Sequence, residues 1–236
     1  MKNTLTIAWR ELESYFVSPI AYVVIAVFLF LTGYLFERIL AITREATLEY
    51  IFYNMVTILM LVSPLLAMRL IAEENRSGTF ELLLTSPVRD WEVVLGKYLA
   101  SLAVLAVMLG LTALYAVVLA VLGQPEWGAL SSGYLGMFLF GSALLAIGLL
   151  TSSWTRNQVV AAFAAVILGL FLWVIEALGA QATGTLAGVA SYLSLSQHYD
   201  DFLRGIIDSR HVVYYLSVAA IALFLTVRSV ESRRWR

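Results

Sequence analysis

Residues 198–211 hold both histidines of the sequence, His198 and His211, among Asp200, Asp201, Arg204, Asp208 and Arg210. Imidazole and carboxylate are metal-ligand types. Adjacent aspartates do not converge easily on one ion, however, and thirteen residues separate the histidines, so a metal centre is set aside. The same charges solvate an outward loop, in which Gly205 marks a turn or a close helix approach, and Asp201 with Arg204 is a modest exposed pair. A second concentration of charge is residues 69–97, RLIAEENRSGTFELLLTSPVRDWEVVLGK, with four basic and five acidic side chains. It contains the Gly96–Lys97 pair, but Trp91 stands where a phosphate-binding G-x-x-x-x-G-K-[ST] loop needs its first glycine. The chain therefore has no nucleotide motif. It has no cysteine for thiolate or iron–sulfur chemistry, no H-E-x-x-H helix and no serine or aspartate catalytic constellation. No enzyme active site is read.

The elements that carry these residues belong in a membrane. The chain has 236 residues, 61% hydrophobic and 13% charged, with mean hydropathy +0.87. Soluble domains are about 45–50% apolar and about 25% charged. A formal net charge of −1 gives no basic field for nucleic acid. Charge-free windows at Ser14–Phe36, Tyr50–Met68, Tyr98–Pro125, Trp127–Thr155, Asn157–Ile175 and His211–Val227 are each long enough for a membrane helix. The expected fold is an all-α membrane protein with six transmembrane helices, forming a single domain over residues 1–236. The window 177–199 is also uncharged, but its glycines, serines and threonines suit a re-entrant or surface-lying segment. No cleavage site follows a short apolar region, so the first span is expected to be retained.

Eleven Lys and Arg fall on the side of the N-terminus, the 69–97 loop and the tail, against four on the other side. The positive-inside rule then puts both termini in the cytoplasm of a cell membrane, in agreement with an even number of spans. In residues 2–16, Leu5, Trp9, Leu12 and Phe16 form one helical stripe. This is an amphipathic interfacial helix; the alternative is a frayed segment with accidental periodicity. No charge lies mid-span, which disfavours an ion-coupled carrier. Pro64 kinks the second span or is a tolerated irregularity near its end, and Gly110, Gly133, Gly136, Gly141 and Gly148 suggest close helix packing.

In the 69–97 loop, Arg69, Glu73, Glu74 and Arg76 continue the second span into water. Gly78 permits a reversal, Phe80, Leu82, Leu83 and Leu84 form a short apolar stretch, and Pro87 ends it. Asp90 is placed to cap the next helix, with Trp91 at the water–lipid boundary. Two readings fit: a tight loop lying back on the bilayer, or a short helix whose Phe80 and leucines need a covering surface. The run EENRSGTFELLLTSP followed by WEVVLGKYLA resembles the cytoplasmic loop and following helix of type-2 ATP-binding-cassette exporter permeases, closest to the gliding-motility-associated branch. Glu73, Glu74, Arg76, Gly78, Thr79, Glu81, Leu82 and Pro87 match that family's pattern, and the similarity covers nearly the whole chain.

The resemblance implies a permease that pairs with a second, identical or homologous permease and binds two cytoplasmic ATPase subunits. The loop is then the coupling helix, in which charged residues fix register and Phe80 and Leu83 anchor in a pocket. ATP and Mg would be held by the ATPases and no cofactor by this chain. The resemblance further implies two short external helices within 176–210, at Leu186–Leu195 and Tyr199–Ile207, dipping into the outer leaflet. Phe202, Arg204 and Gly205 would serve there as an external gate. The functional expectation is ATP-driven export. The alternatives are a membrane scaffold driven by the same ATPase without small cargo, or an independent channel or carrier.

Overall fold

The computed structural model describes residues 2–43, 48–78, 88–179 and 185–234. Among these the regular structure is helical: α1 (Lys2–Val17), α2 (Pro19–Thr43), α3 (Glu49–Ala67), α4 (Arg69–Ser77), α5 (Asp90–Leu122), α6 (Trp127–Trp154), α7 (Gln158–Gly179), α8 (Thr185–Leu193), α9 (Leu195–Leu203) and α10 (Ser209–Arg234). Six stretches are long and apolar enough to cross a bilayer: α2, α3 together with α4, α5, α6, the Gln158–Ala177 part of α7, and the Ser209–Ser232 part of α10. The first span runs seven residues beyond the expected Phe36, through Glu37 and Arg38. Its start is Pro19, because Ser18 separates it from α1, and proline fits a first helical turn where its missing N–H has no partner to lose.

Helix α6 is the axis of the bundle. Every residue from Leu139 to Ser153 is buried, while α2, α7 and α10 expose their outward faces. Its glycines are where neighbours come closest. A Cβ on Gly148 would lie 2.5 Å from the Cβ of Ala67 in α3, and one on Gly136 would lie 2.7 Å from that of Phe202 in α9. Gly133 and Gly141 similarly receive Phe52 and Leu105. Such contacts replace the missing hydrophobic drive between helices in lipid with close packing. Gly110 differs from the expectation: its Cβ position has nothing within 4 Å.

Backbone polar groups in lipid must be satisfied internally, and the hydroxyls of α6 obey the same constraint. Those of Ser142, Thr151 and Ser153 donate to carbonyls three residues earlier. The Ser153 oxygen also accepts from the Ser229 hydroxyl near the end of α10 at 3.0 Å, which brings the C-terminal helix to the end of the bundle where α1 lies. Both termini thus share one end.

Gly148→Ala should lower stability by about 1–3 kcal/mol, the cost of overpacking a full contact. Gly110→Ala should be neutral or stabilise by up to about 1 kcal/mol, from helix propensity alone. Detergent-solubilised unfolding curves of the two variants distinguish these outcomes.

Candidate functional site

The charged segment after the second span begins as a structural continuation of it. Helix α3 contains Pro64, and the carbonyl of Pro64 accepts from the Met68 N–H at 2.8 Å. Met68 keeps right-handed helical angles, so α4 follows α3 with only a local irregularity. Ser152 of α6 enters there. Its hydroxyl donates to the Met68 carbonyl at 2.8 Å and accepts from the N–H groups of Ile71 at 3.1 Å and Ala72 at 2.9 Å. One donor and two acceptor positions are all a serine hydroxyl has, so this buried side chain is fully used.

Helix α4 ends as its sequence suggests. Gly78 takes φ +74°, a left-handed C-cap. Glu73, Arg76 and Gly78 are exposed. Thr79, Phe80, Glu81, Leu82, Leu83 and Pro87 lie outside the described residues, as does the apolar stretch they were assigned to. The next helix begins at Asp90, but Asp90 is its first residue and Arg89 is the N-cap. The Glu92 carboxylate reaches back to accept from the Arg89 N–H at 3.0 Å and from Asn3 Nδ2 at 3.3 Å. The capping acid sits three residues into the helix, as in a capping box, and also ties α1 to α5.

Glu74 has a role that local sequence did not reveal. Lys97 of α5 is 1% exposed, and its Nζ donates to Glu74 Oε1 at 2.7 Å and to Glu11 Oε1 of α1 at 2.9 Å. The two carboxylates are 16% and 15% exposed. One ammonium therefore joins α1, α4 and α5. Around this triad α1 packs Thr4, Ile7 and Tyr15 inward, while Leu5 and Trp9 of the expected apolar stripe are 65% exposed. The inward face is offset from that stripe because α1 covers α5 with its Thr4–Ile7–Glu11–Tyr15 face, leaving Leu5 and Trp9 turned outward. Tyr15 donates to the Leu66 carbonyl at 2.7 Å, and Arg69 lies 4.4 Å over its ring. The signal available in the sequence was the position of Lys97 at the head of an apolar span, where a cation requires a partner.

At the opposite end, α8 and α9 are two short helices starting one and four residues before the expected positions. Ser194 is the reason for the division: it N-caps α9, accepting from Gln197 N–H at 3.4 Å. Glu176 Oε2 accepts from Ser194 and Ser196 at 3.3 and 3.2 Å. Phe202 is fully buried against Gly136, and its carbonyl accepts from Ser132 at 2.7 Å. Arg204 is exposed. Gly205 fulfils both expectations, with φ +84° and a Cβ position 3.4 Å from the Ala129 nitrogen. Of the three expected gate residues, then, Phe202 anchors α9 from inside and Gly205 lets the chain pass α6.

Asp201 pairs with His211, not through its side chain with Arg204: His211 Nε2 lies 2.7 Å from Asp201 Oδ2. The His198 and His211 rings come within 5.0 Å of each other, and His198 stacks on Tyr214 at 3.8 Å. His198 Nδ1–H donates to the Ser194 carbonyl at 2.8 Å. Among the described residues no three His, Cys, Asp or Glu side chains form a metal-holding group. Arg204, Asp200, Asp201 and Glu176 instead border an open cavity of about 960 Å³. Burial pushes the Asp200 carboxyl above its usual range, with the Glu176 charge adding to the effect.

A bundle with six helices long and apolar enough to cross a bilayer, and with charge gathered at its two ends, has the architecture of a multi-pass membrane protein. The ABC-2 family transporter protein profile matches residues 5–221. The chain belongs to the ABC-2 transporter family and is a multi-pass ABC transporter permease. It is 30% identical over 108 residues to the probable multidrug ABC transporter permease YbhR of Escherichia coli K12, and equally to that of E. coli O157:H7. The match covers 46% of this chain and 27% of each relative.

Lys97→Met should destabilise the bundle by up to about 3 kcal/mol, because two partly buried carboxylates lose their shared counter-charge. Adding Glu11→Gln and Glu74→Gln to Lys97→Met should recover most of that loss in the same unfolding assay. A second expectation concerns acid. Burial holds the His198 imidazole below its ordinary value, so the unfolded chain binds more protons and stability falls as pH drops below about 6.5. The difference in melting temperature between wild type and His198→Phe should therefore narrow from pH 7.5 to pH 5.5.

Proposed function

We propose that this chain is the permease subunit of an ATP-driven exporter with both termini in the cytoplasm of a cell membrane. Two separate ATPase subunits, carrying the ATP and Mg, dock beneath α4 and the loop that follows it, and a second permease completes the transporter. The work of this chain is conformational. A displacement of the loop passes through α4 into α3, and through Ser152 into α6.

The observation supporting this reading is the continuity of the second span with α4. That helix leaves the bundle held by Ser152 and Lys97 and ends in exposed Glu73, Arg76 and Gly78, ahead of the charged loop. A rigid lever with charged residues at its free end suits docking in register to a charged partner. In the same reading α1 lies at the inner membrane surface with Leu5 and Trp9 in lipid. Helices α8 and α9 close the outer mouth, with Phe202, Arg204 and Gly205 at the gate. The description of the matched relative as a probable multidrug permease favours amphipathic cargo.

Arg76→Glu reverses charge at an exposed position and should leave unfolding unchanged. In the reconstituted complex it should weaken co-purification of the ATPase and lower permease-dependent ATP hydrolysis by roughly tenfold. ATP-driven accumulation of an amphipathic dye in inside-out vesicles tests the direction of transport. Unchanged ATPase association and turnover in Arg76→Glu would place the docking surface elsewhere.

A further inference from the structure

A cavity of about 350 Å³ opens between the helices at the end of the bundle that carries both termini. Its wall includes Glu11 of α1, Ile20 in the first turn of α2, Arg69, Glu73 and Glu74 of α4, and Lys97 of α5. Ile20 begins the first span, so the cavity lies at the depth where that span leaves the hydrocarbon, the level of lipid headgroups. Beside it, α1 exposes Trp9 and Phe16, side chains suited to that boundary.

The polar groups of this cavity are incompletely matched to one another. On the wall three carboxylates face two cations, and Arg10 of α1 supplies a third cation 3.5 Å from Glu11. Arg69 and Glu73 are one helical turn apart, a spacing that normally permits pairing, yet Arg69 Nη1 donates to Ser18 Oγ at 2.8 Å and its guanidinium lies over Tyr15. Glu73 has no ion pair among the described residues. Glu74 gives Oε1 to Lys97, but its Oε2 is buried without a hydrogen-bond partner. Lys97 uses two of its three N–H donors on Glu11 and Glu74. A buried carboxylate oxygen without a donor is costly. The cavity therefore calls for a hydrogen-bonding cation beside Glu73 and Glu74 and an anion within reach of Arg69.

We propose that this cavity binds the phosphoethanolamine headgroup of a membrane lipid. The ammonium donates to the exposed Glu73 carboxylate and, on a rotation of the Glu74 carboxylate toward the cavity, to its unpartnered Oε2; the phosphate accepts from Arg69, and the acyl chains lie along the exposed apolar side of α1. Both contacts are charge-assisted hydrogen bonds, the stronger kind. Phosphocholine has no N–H to donate to Glu74. An anionic headgroup lacks the cation that Glu73 and Glu74 call for, and this wall mixes both signs of charge, unlike the basic pockets that select acidic lipids. The site holds α1 against α4 through the lipid, alongside the direct link through Lys97.

The test uses the full-length permease in detergent, titrated with dioctanoyl phosphatidylethanolamine, phosphatidylcholine and phosphatidylglycerol. Binding is read by native mass spectrometry and by the shift in melting temperature. Phosphatidylethanolamine should bind roughly tenfold tighter than either other lipid. Glu73→Gln should reduce that preference severalfold while leaving phosphatidylcholine binding unchanged, as expected for loss of one charge-assisted contact. Equal binding of the three lipids, or an unchanged preference in Glu73→Gln, would reduce the effect to a non-selective lipid belt and overturn the proposal. Glycerophosphoethanolamine serves as the soluble arm: binding as tight as that of the lipid would assign the site to a free metabolite instead. The wild-type ranking decides the matter even if the variant proves unstable.

Discussion

The rest of the structure depends on what α6 can place at its surface. Surrounded by other helices over most of its length, it has room for glycine, alanine and serine where neighbours cross, and each of its hydroxyls needs a partner because water does not reach it. Two of these serines satisfy the backbone of other elements. Ser132 donates to the Phe202 carbonyl in α9, and Ser152 binds Met68, Ile71 and Ala72 at the α3–α4 junction. Twenty residues separate them, about 30 Å along a helix, the thickness of a hydrocarbon core. The same helix therefore fixes α9 at one end and the root of α4 at the other.

The ion triad adds a second constraint at the α4 end. A buried ion pair is weak evidence for net stability, since desolvation offsets much of the attraction. What it supplies more reliably is specificity: if Lys97 is to stay buried, Glu11 and Glu74 must both remain beside it, so α1 and α4 cannot shift independently of α5. Glu92 repeats the arrangement a turn and a half earlier by accepting from Asn3 and from the Arg89 backbone. Helix α1 is thereby attached to the bundle by polar contacts on one face and leaves its large apolar side chains, Leu5 and Trp9, on the other.

The spans were legible because hydropathy is a property of local composition, and the turns at Gly78 and Gly205 because a left-handed backbone angle selects glycine from the sequence itself. The polar contacts were legible only in part. Glu74 reads locally as one more charge on a solvated loop, whereas its partner Lys97 is 23 residues away and Glu11 lies 86 residues from Lys97. Asp201 likewise suggests Arg204 by spacing, but α10 returns His211 to it. Asp90 has the right chemistry for a cap and stands one residue too late, and the acid that reaches back is Glu92. In each case residue type announced the need for a partner, and the tertiary path of the chain chose which one.

These two constraints act at different places on the same lever. Ser152 holds α4 where it joins the second span, by contacts to backbone that any rotation of α4 about its axis must stretch. Glu74 lies two residues beyond Ala72 and is held through its side chain, by the hydrogen bond from the Lys97 ammonium. The first attachment ends on α6, and the second ends on α5 and, through Glu11, on α1. Under the proposed docking beyond Gly78, a displacement of α4 would be carried to α6 by Ser152 and to α5 and α1 by Lys97. Because α6 also holds α9 through Ser132, it is the element that joins the two ends of the bundle.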